Sequence, residues 1–184
     1  MPTARYMALG LFLVTLGLSF AADEDTQRID YERLLQRKLN LPILGLRARD
    51  IQDTFRDRRA GGKPHEATDI LSPRGTPVLA MDDGVIQKLF LSKPGGLTIY
   101  EFDRKSTFCF YYAHLDRYAE GLSEGMQVHR GDVIGYVGTS GNAPPGTPHL
   151  HLAIMHLGPE ARWWQGTSVD PYPVLMGIVN SQRD

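Results

Sequence analysis

Turn-forming residues cut the chain beyond Pro64 into pieces of strand length, and that punctuation limits the possible folds more than any other feature of the sequence. Pro73-Arg74-Gly75-Thr76-Pro77, Asp83-Gly84, Pro94-Gly95-Gly96, Gly131-Asp132 and Gly138 follow one another at short intervals, and a helix does not run through such positions. Between them lie Val78 to Met81, Val85 to Leu91, Leu97 to Phe102, Thr107 to Ala113, Val133 to Val137 and His149 to Met155, all rich in β-branched, aromatic or aliphatic residues. The pattern predicts a mostly β fold, a compact antiparallel β-sheet domain.

Upstream the period changes. From Thr26 to Asn40, Tyr31, Leu34, Leu35 and Leu39 fall at i, i+3, i+4 and i+8, the spacing of one helical face, and Pro42 stops the run. The outer face mixes Arg, Lys, Glu and Gln, so this short N-terminal helix reads as a packing element without chemistry. Residues 41–64, dense in Arg, Gly and Pro, read as loop or short strand. With 184 residues, 42% of them hydrophobic, the chain has material for one core and hardly two. The expected organisation is a signal peptide over 1–21, a helical segment over 22–40 and one β domain over 41–184.

Charge and cysteine count exclude several classes. A formal net charge of -1 gives no positive field for gripping nucleic acid. A single cysteine, Cys109, rules out a disulfide-stapled scaffold. Compartment is read from the N-terminus: Arg5 precedes the uncharged stretch Tyr6 to Ala22, with small residues at Ser19 and Ala21 before a cleavage point. We read a cleaved secretory signal. The alternative is an uncleaved membrane anchor, since the stretch approaches the length that spans a bilayer. Both place the remainder outside the cytoplasm, periplasmic or secreted.

Six histidines carry the chemical argument. His129, beside Arg130-Gly131-Asp132, and His156, at a strand end before Gly158-Pro159, read as solvated or structural. In His149-Leu150-His151-Leu152 strand alternation sends both imidazoles to one face and both leucines to the core, an arrangement that serves a metal site, an acid–base site or simple packing. His65 and Asp69 are four apart, a spacing that suits a helix turn or one face of a strand, and the flanking prolines favour the strand. The pair is either a surface contact or, with a histidine from another strand, the two-nitrogen, one-oxygen set of catalytic zinc, which leaves a fourth position for water. His114 closes a strand-like run and as a lone histidine is ordinarily structural. Cys109, five residues before it, falls on the opposite face of an unbroken strand and reads as a small buried hydrophobe.

Taken together, HEATDI at 65–70, RGTPV at 74–78, YAHL at 112–115, RGDVIGYVGTSGNA at 130–143 and PHLHL at 148–152 resemble the lysostaphin-type (LytM-like) zinc endopeptidases, over roughly residues 41–178. The resemblance implies a duplicated-hybrid-motif β-sheet with a substrate groove, and one Zn2+ per chain on His65, Asp69 and His151. It also implies that His149 and His114 flank the attacking water and the scissile carbonyl. Ala67 departs from the family's more frequent glycine, and the approach to His149 is proline-rich, Pro144-Pro145-Gly146-Thr147-Pro148; neither touches a ligand.

The expected mechanism is metal-assisted amide hydrolysis, with His149 as general base and His114 on the oxyanion or the leaving amine, the two roles being exchangeable. The expected substrate is the stem-peptide cross-link of peptidoglycan. The lack of a strongly basic surface leans the expected bond toward D-alanyl to meso-diaminopimelate. Nucleic acid is not expected as a partner, and a membrane only through an uncleaved N-terminus. Two other readings stand beside this one. A non-catalytic regulator of other wall hydrolases is disfavoured by the complete set of five competent residues, and a secreted peptidase acting on proteins is compatible with the same motifs.

Overall fold

The strands form where the punctuation places them. In a computed structural model, which describes residues 25–59 and 61–182, one sheet contains β1 (Thr68–Leu71), β2 (Pro77–Leu79), β3 (Gly84–Ser92), β4 (Gly96–Asp103), β5 (Phe108–Tyr118), β6 (Gln127–Val128), β7 (Val133–Val137), β8 (His149–Leu157) and β9 (Gly166–Val169). The order is β1-β8-β5-β4-β3-β6, with β2 on β7, β7 on β5 and β9 on β8, and every pairing is antiparallel. The expected signal over 1–21 lies outside the described residues.

Two strands share one edge of β5. β8 pairs along Phe108 to Ala113, and β7 takes over from Leu115. The change-over is His114, whose φ of 60° is the left-handed conformation that a non-glycine residue rarely adopts. Its N–H bonds the Gly95 carbonyl at 2.8 Å, and the register to β4 shifts at the same point. Where β7 ends and β8 begins, a Gly138–His149 bridge closes the seam. A sheet bent at this point presents the ends of β1, β5 and β8 to a common cleft.

One face of the sheet is dry. Phe108, Phe110 and Tyr112 of β5, Leu150, Leu152 and Ile154 of β8, and Ile70, Ile86 and Ile99 are all fully buried. A terminal helix, α2 (Pro171–Ser181), packs Val174, Leu175 and Ile178 on this layer, as does Leu34 of α1, which covers residues 25–35. Each such side chain contributes about 1.5–3 kcal/mol of transfer free energy. Asp170 caps α2, accepting from the Tyr172 N–H at 2.9 Å, and Pro171 opens it.

The helix predicted over Thr26 to Asn40 stops at residue 35 instead. Arg37 N–H turns back to the Leu34 carbonyl, and Asn40 N–H bonds Met81 across the sheet at 2.8 Å. Leu39 therefore reaches the core from extended chain, and Leu35 is 40% exposed. Helical spacing described the common destination of Leu34 and Leu39 but not the backbone of Leu39, and it misplaced Leu35.

Candidate active site

On the open face, β1 and β8 run side by side with Asp69 opposite His151, and the side-chain alternation of β8 holds: Leu150 and Leu152 are buried in the core while His151 faces the cleft. His65 is not on the strand. β1 begins at Thr68, and Glu66 turns the chain with φ 57°, so His65 reaches its neighbours from the preceding loop; the even-spacing argument gave the right pair through the wrong conformation. His65 Nε2 lies 3.0 Å from His151 Nδ1 and 3.2 Å from Asp69 Oδ1, and His151 Nδ1 lies 3.0 Å from that same oxygen. Ligand atoms about 2.0–2.1 Å from a tetrahedral zinc are about 3.3 Å apart, so this triangle fits such an ion. It is the one group of three such residues among the described residues placed to hold a metal.

Support for the triangle comes from carbonyls. His65 Nδ1–H donates to the Thr54 carbonyl at 3.0 Å, which leaves Nε2 with its lone pair toward the cluster and fixes the ring. Burial alone would raise the Asp69 carboxyl, but its contacts with His151, His65 and the Arg59 guanidinium hold it well below the ordinary carboxylate range. Burial lowers the His151 imidazole, against the pull of Asp69.

His114 and His149 stand at the same cleft, their ring centroids 4.8 Å apart, and the His114 ring lies 5.5 Å from that of His151. His149 Nδ1–H donates to the Thr147 carbonyl at 2.8 Å and His114 Nδ1–H to the Ser140 carbonyl at 2.9 Å. A carbonyl only accepts, so each neutral ring keeps its Nε2 lone pair for the cleft. His149 Nε2 is 3.9 Å from Asp69 Oδ1. Burial pushes the His114 imidazole down to about 4, opposed by the Ser140 carbonyl and reinforced by His151 and His149. All five expected site residues thus converge, and His114 does so from within β5 rather than beyond its end.

Cys109 is fully buried in a cluster with Phe102 and Leu157, its thiol pushed up by burial. The bulge at His114 resets strand parity, so Cys109 points to the same side of the sheet as the cleft, yet under a loop. The expectation of a buried hydrophobe holds while its parity argument fails. His129 lies in an exposed turn, and His156 bonds buried Asp30 of α1 at 2.7 Å.

Sequence reasoning passed over Arg59. Its guanidinium donates to Asp69 Oδ2 at 2.5 Å and to His65 Nε2, the lone pair a metal would take. The Arg58–Pro64 bridge and a 2.9 Å Arg59–Lys63 backbone bond define its hairpin. The signal available was a cation six residues from His65 across Gly61-Gly62, which any surface arginine would equally give.

The cleft measures about 620 Å³ and is walled by Arg59, Leu71, Pro94, Tyr111, Asn142 and Pro144 around the histidines. Among the described residues, none of α1 lines it.

A family model described as Peptidase family M23 matches residues 63–171. The L-Ala–D-Glu endopeptidase of Bacillus subtilis is 38% identical over 131 residues, 67% of this chain and 39% of that protein. The peptidoglycan DD-endopeptidase ShyC of Vibrio cholerae is 35% identical over 96 residues, 52% of this chain and 21% of that protein. The chain therefore spans well under half the length of these two curated relatives. The catalytic domain of the antimicrobial peptidase lysostaphin from Staphylococcus simulans aligns with a TM-score of 0.54 and 27% identity, covering 79% of this chain and 96% of that one.

Proposed function

The chain belongs to peptidase family M23, and from that membership and the cleft's geometry we propose that it is a zinc-dependent endopeptidase hydrolysing peptide cross-links of bacterial peptidoglycan. The observation that carries the reading is the triangle of His65 Nε2, Asp69 Oδ1 and His151 Nδ1, with sides of 3.0–3.2 Å, beside two further histidines that offer lone pairs to the same space. These three residues would hold the metal. Zinc in such a set supplies a Lewis acid for the scissile carbonyl and makes water acidic enough to ionise near neutral pH.

The chain's own groups do the rest. His149 Nε2 takes a proton from the attacking water, and its Nδ1 bond to Thr147 keeps the ring aimed as it becomes a cation. The protonated ring then returns that proton to the leaving amine. His114, with Nδ1–H committed to Ser140, offers an acceptor at Nε2, which suits an N–H of the leaving amine rather than a developing oxyanion. The relatives named above are an L-Ala–D-Glu endopeptidase and a DD-endopeptidase, and these names support peptidoglycan stem peptides as the substrate class. Export by the apolar N-terminal stretch, to the periplasm or outside, brings the enzyme to that polymer; N-terminal sequencing of the protein recovered from each cell fraction checks it.

Digestion of purified cross-linked peptidoglycan, followed by chromatography and mass spectrometry of the fragments, tests the activity and names the bond. Loss of cross-linked dimers with the zinc-loaded protein, and not after chelation, is the expected result. Intact cross-links alongside cleavage of an unrelated protein would overturn the substrate class.

A further inference from the structure

Both tryptophans of the chain, Trp163 and Trp164, lie at the far end of a line of rings that starts at the metal-ligand triad. His151 stands 5.9 Å from Tyr111, Tyr111 4.7 Å from Tyr100, Tyr100 4.9 Å from Trp163, and Trp163 5.3 Å from both Phe90 and Trp164. Register explains the line. Tyr100 and Tyr111 are direct partners across β4 and β5, and both project to the open face. The loop after β8 then folds back over that face, where Ala161 and Trp163 pack on the Cys109 cluster.

The end of the line is open to solvent. Trp164 is 61% exposed and Phe90 38%, although leaving aromatic surface in water has a cost. The loop holds its shape by bonds from Ala161 N–H to the Gly158 carbonyl at 2.9 Å and from Gln165 N–H to the Arg162 carbonyl at 3.1 Å. Arg162 pairs with Glu160 and lies 6.0 Å from the Trp164 ring centroid. An apolar ring rimmed by charged and amide groups matches a pyranose, whose C–H face carries partial positive charge toward the negative face of an indole while its hydroxyls bond the rim. An anionic polymer would need a positive field, and Arg162 is neutralised by Glu160. A purely apolar partner would leave that ion pair buried at a loss.

We propose that the exposed indole of Trp164, set edge-on at 80° against Trp163, is a sugar-binding platform that seats a pyranose ring of the glycan strand from which the substrate peptide hangs, the aromatic line joining that subsite to the hydrolytic cleft. This rests on the peptidoglycan reading above. Because the chain has no other tryptophan, its emission under tryptophan-selective excitation reports on Trp163 and Trp164 alone. The test is a titration of the full zinc-loaded chain with tetra-N-acetylchitotetraose, which contains no peptide bond between amino acids. A saturable change in emission is expected, lost in Trp164→Ala, whose Trp163 still reports, and restored in Trp164→Phe. On intact peptidoglycan, Trp164→Ala raises KM about three- to tenfold, the size of one stacking contact. No saturable change, or equal binding by Trp164→Ala, overturns the platform. A response to a sugar-free cross-linked stem peptide in place of the tetrasaccharide also overturns it and assigns the line to peptide. Tetrasaccharide binding by a protein that leaves cross-links intact would uphold the platform while removing the endopeptidase reading.

Discussion

At the scale of single residues, the five polar side chains at the cleft divide by what each lone pair serves. Replacing His65 or Asp69 with alanine removes a corner of the 3.0–3.2 Å triangle and is expected to lower the bound metal measured by mass spectrometry. Replacing His149 or His114 leaves the triangle intact. Those variants should keep their metal and lose about 10²- to 10⁴-fold in turnover, and metal loss in either would contradict the division. Arg59 adds a second prediction. Its guanidinium occupies the His65 Nε2 lone pair that a metal would take and also holds the other carboxylate oxygen of Asp69, so Arg59→Ala is expected to bind zinc more tightly in competition with a chromophoric chelator; unchanged affinity would show that the guanidinium moves aside without cost. Residue identities were the most legible layer, because ligand chemistry depends on donor atoms that the sequence states outright. Arg59 was not legible, since nothing local distinguishes it from Arg56 or Arg58.

Among elements, the seam where β7 and β8 share the edge of β5 positions His114 and His149. Gly138 sits on that seam, where a Cβ would lie 2.4 Å from the Asp116 backbone nitrogen. Gly138→Ala must push the strands apart, so a loss of about 1–3 kcal/mol is expected in urea denaturation, together with a fall in turnover larger than the fall in metal content. Unchanged stability would contradict the close approach. Strand positions were read well from turn residues and alternation, as β3, β4, β7 and β8 show. The bulge at His114 was not, because a left-handed histidine carries no compositional mark, and that is why the parity argument for Cys109 failed. α2 was also missed, though Asp170-Pro171 is a helix-start signal. The end of α1 at residue 35 was set by Asn40 pairing with Met81, a contact between distant segments.

For the molecule as a whole, one buried carboxyl sets a pH dependence separate from the cleft. Glu101 is fully buried and accepts from the Tyr112 hydroxyl at 2.6 Å and from the Asp82 N–H at 3.1 Å. Burial outweighs these bonds and pushes its carboxyl up to about 8 from an ordinary 4.5. A raised folded value means that the folded state binds more protons than the unfolded chain between those limits. The contribution is complete below 4.5 and is lost as pH rises through about 8. Melting temperature should therefore decline across that window, and Glu101→Gln should remove that component; an identical slope in the variant would contradict it. The mostly antiparallel β architecture was legible because one turn pattern accounts for nearly all of the described chain beyond Pro64. The aromatic line to Trp164 was not, since it joins four separate segments. The central claim is that one metal on His65, Asp69 and His151 drives hydrolysis of peptidoglycan cross-links. Its most direct measurement is cross-link cleavage as a function of zinc bound per chain, with His149→Ala in parallel. The account predicts cleavage rising in proportion to occupancy up to one zinc, and about 10²- to 10⁴-fold less from His149→Ala at full occupancy. Cleavage by the metal-free protein, or none at one zinc per chain, would contradict it.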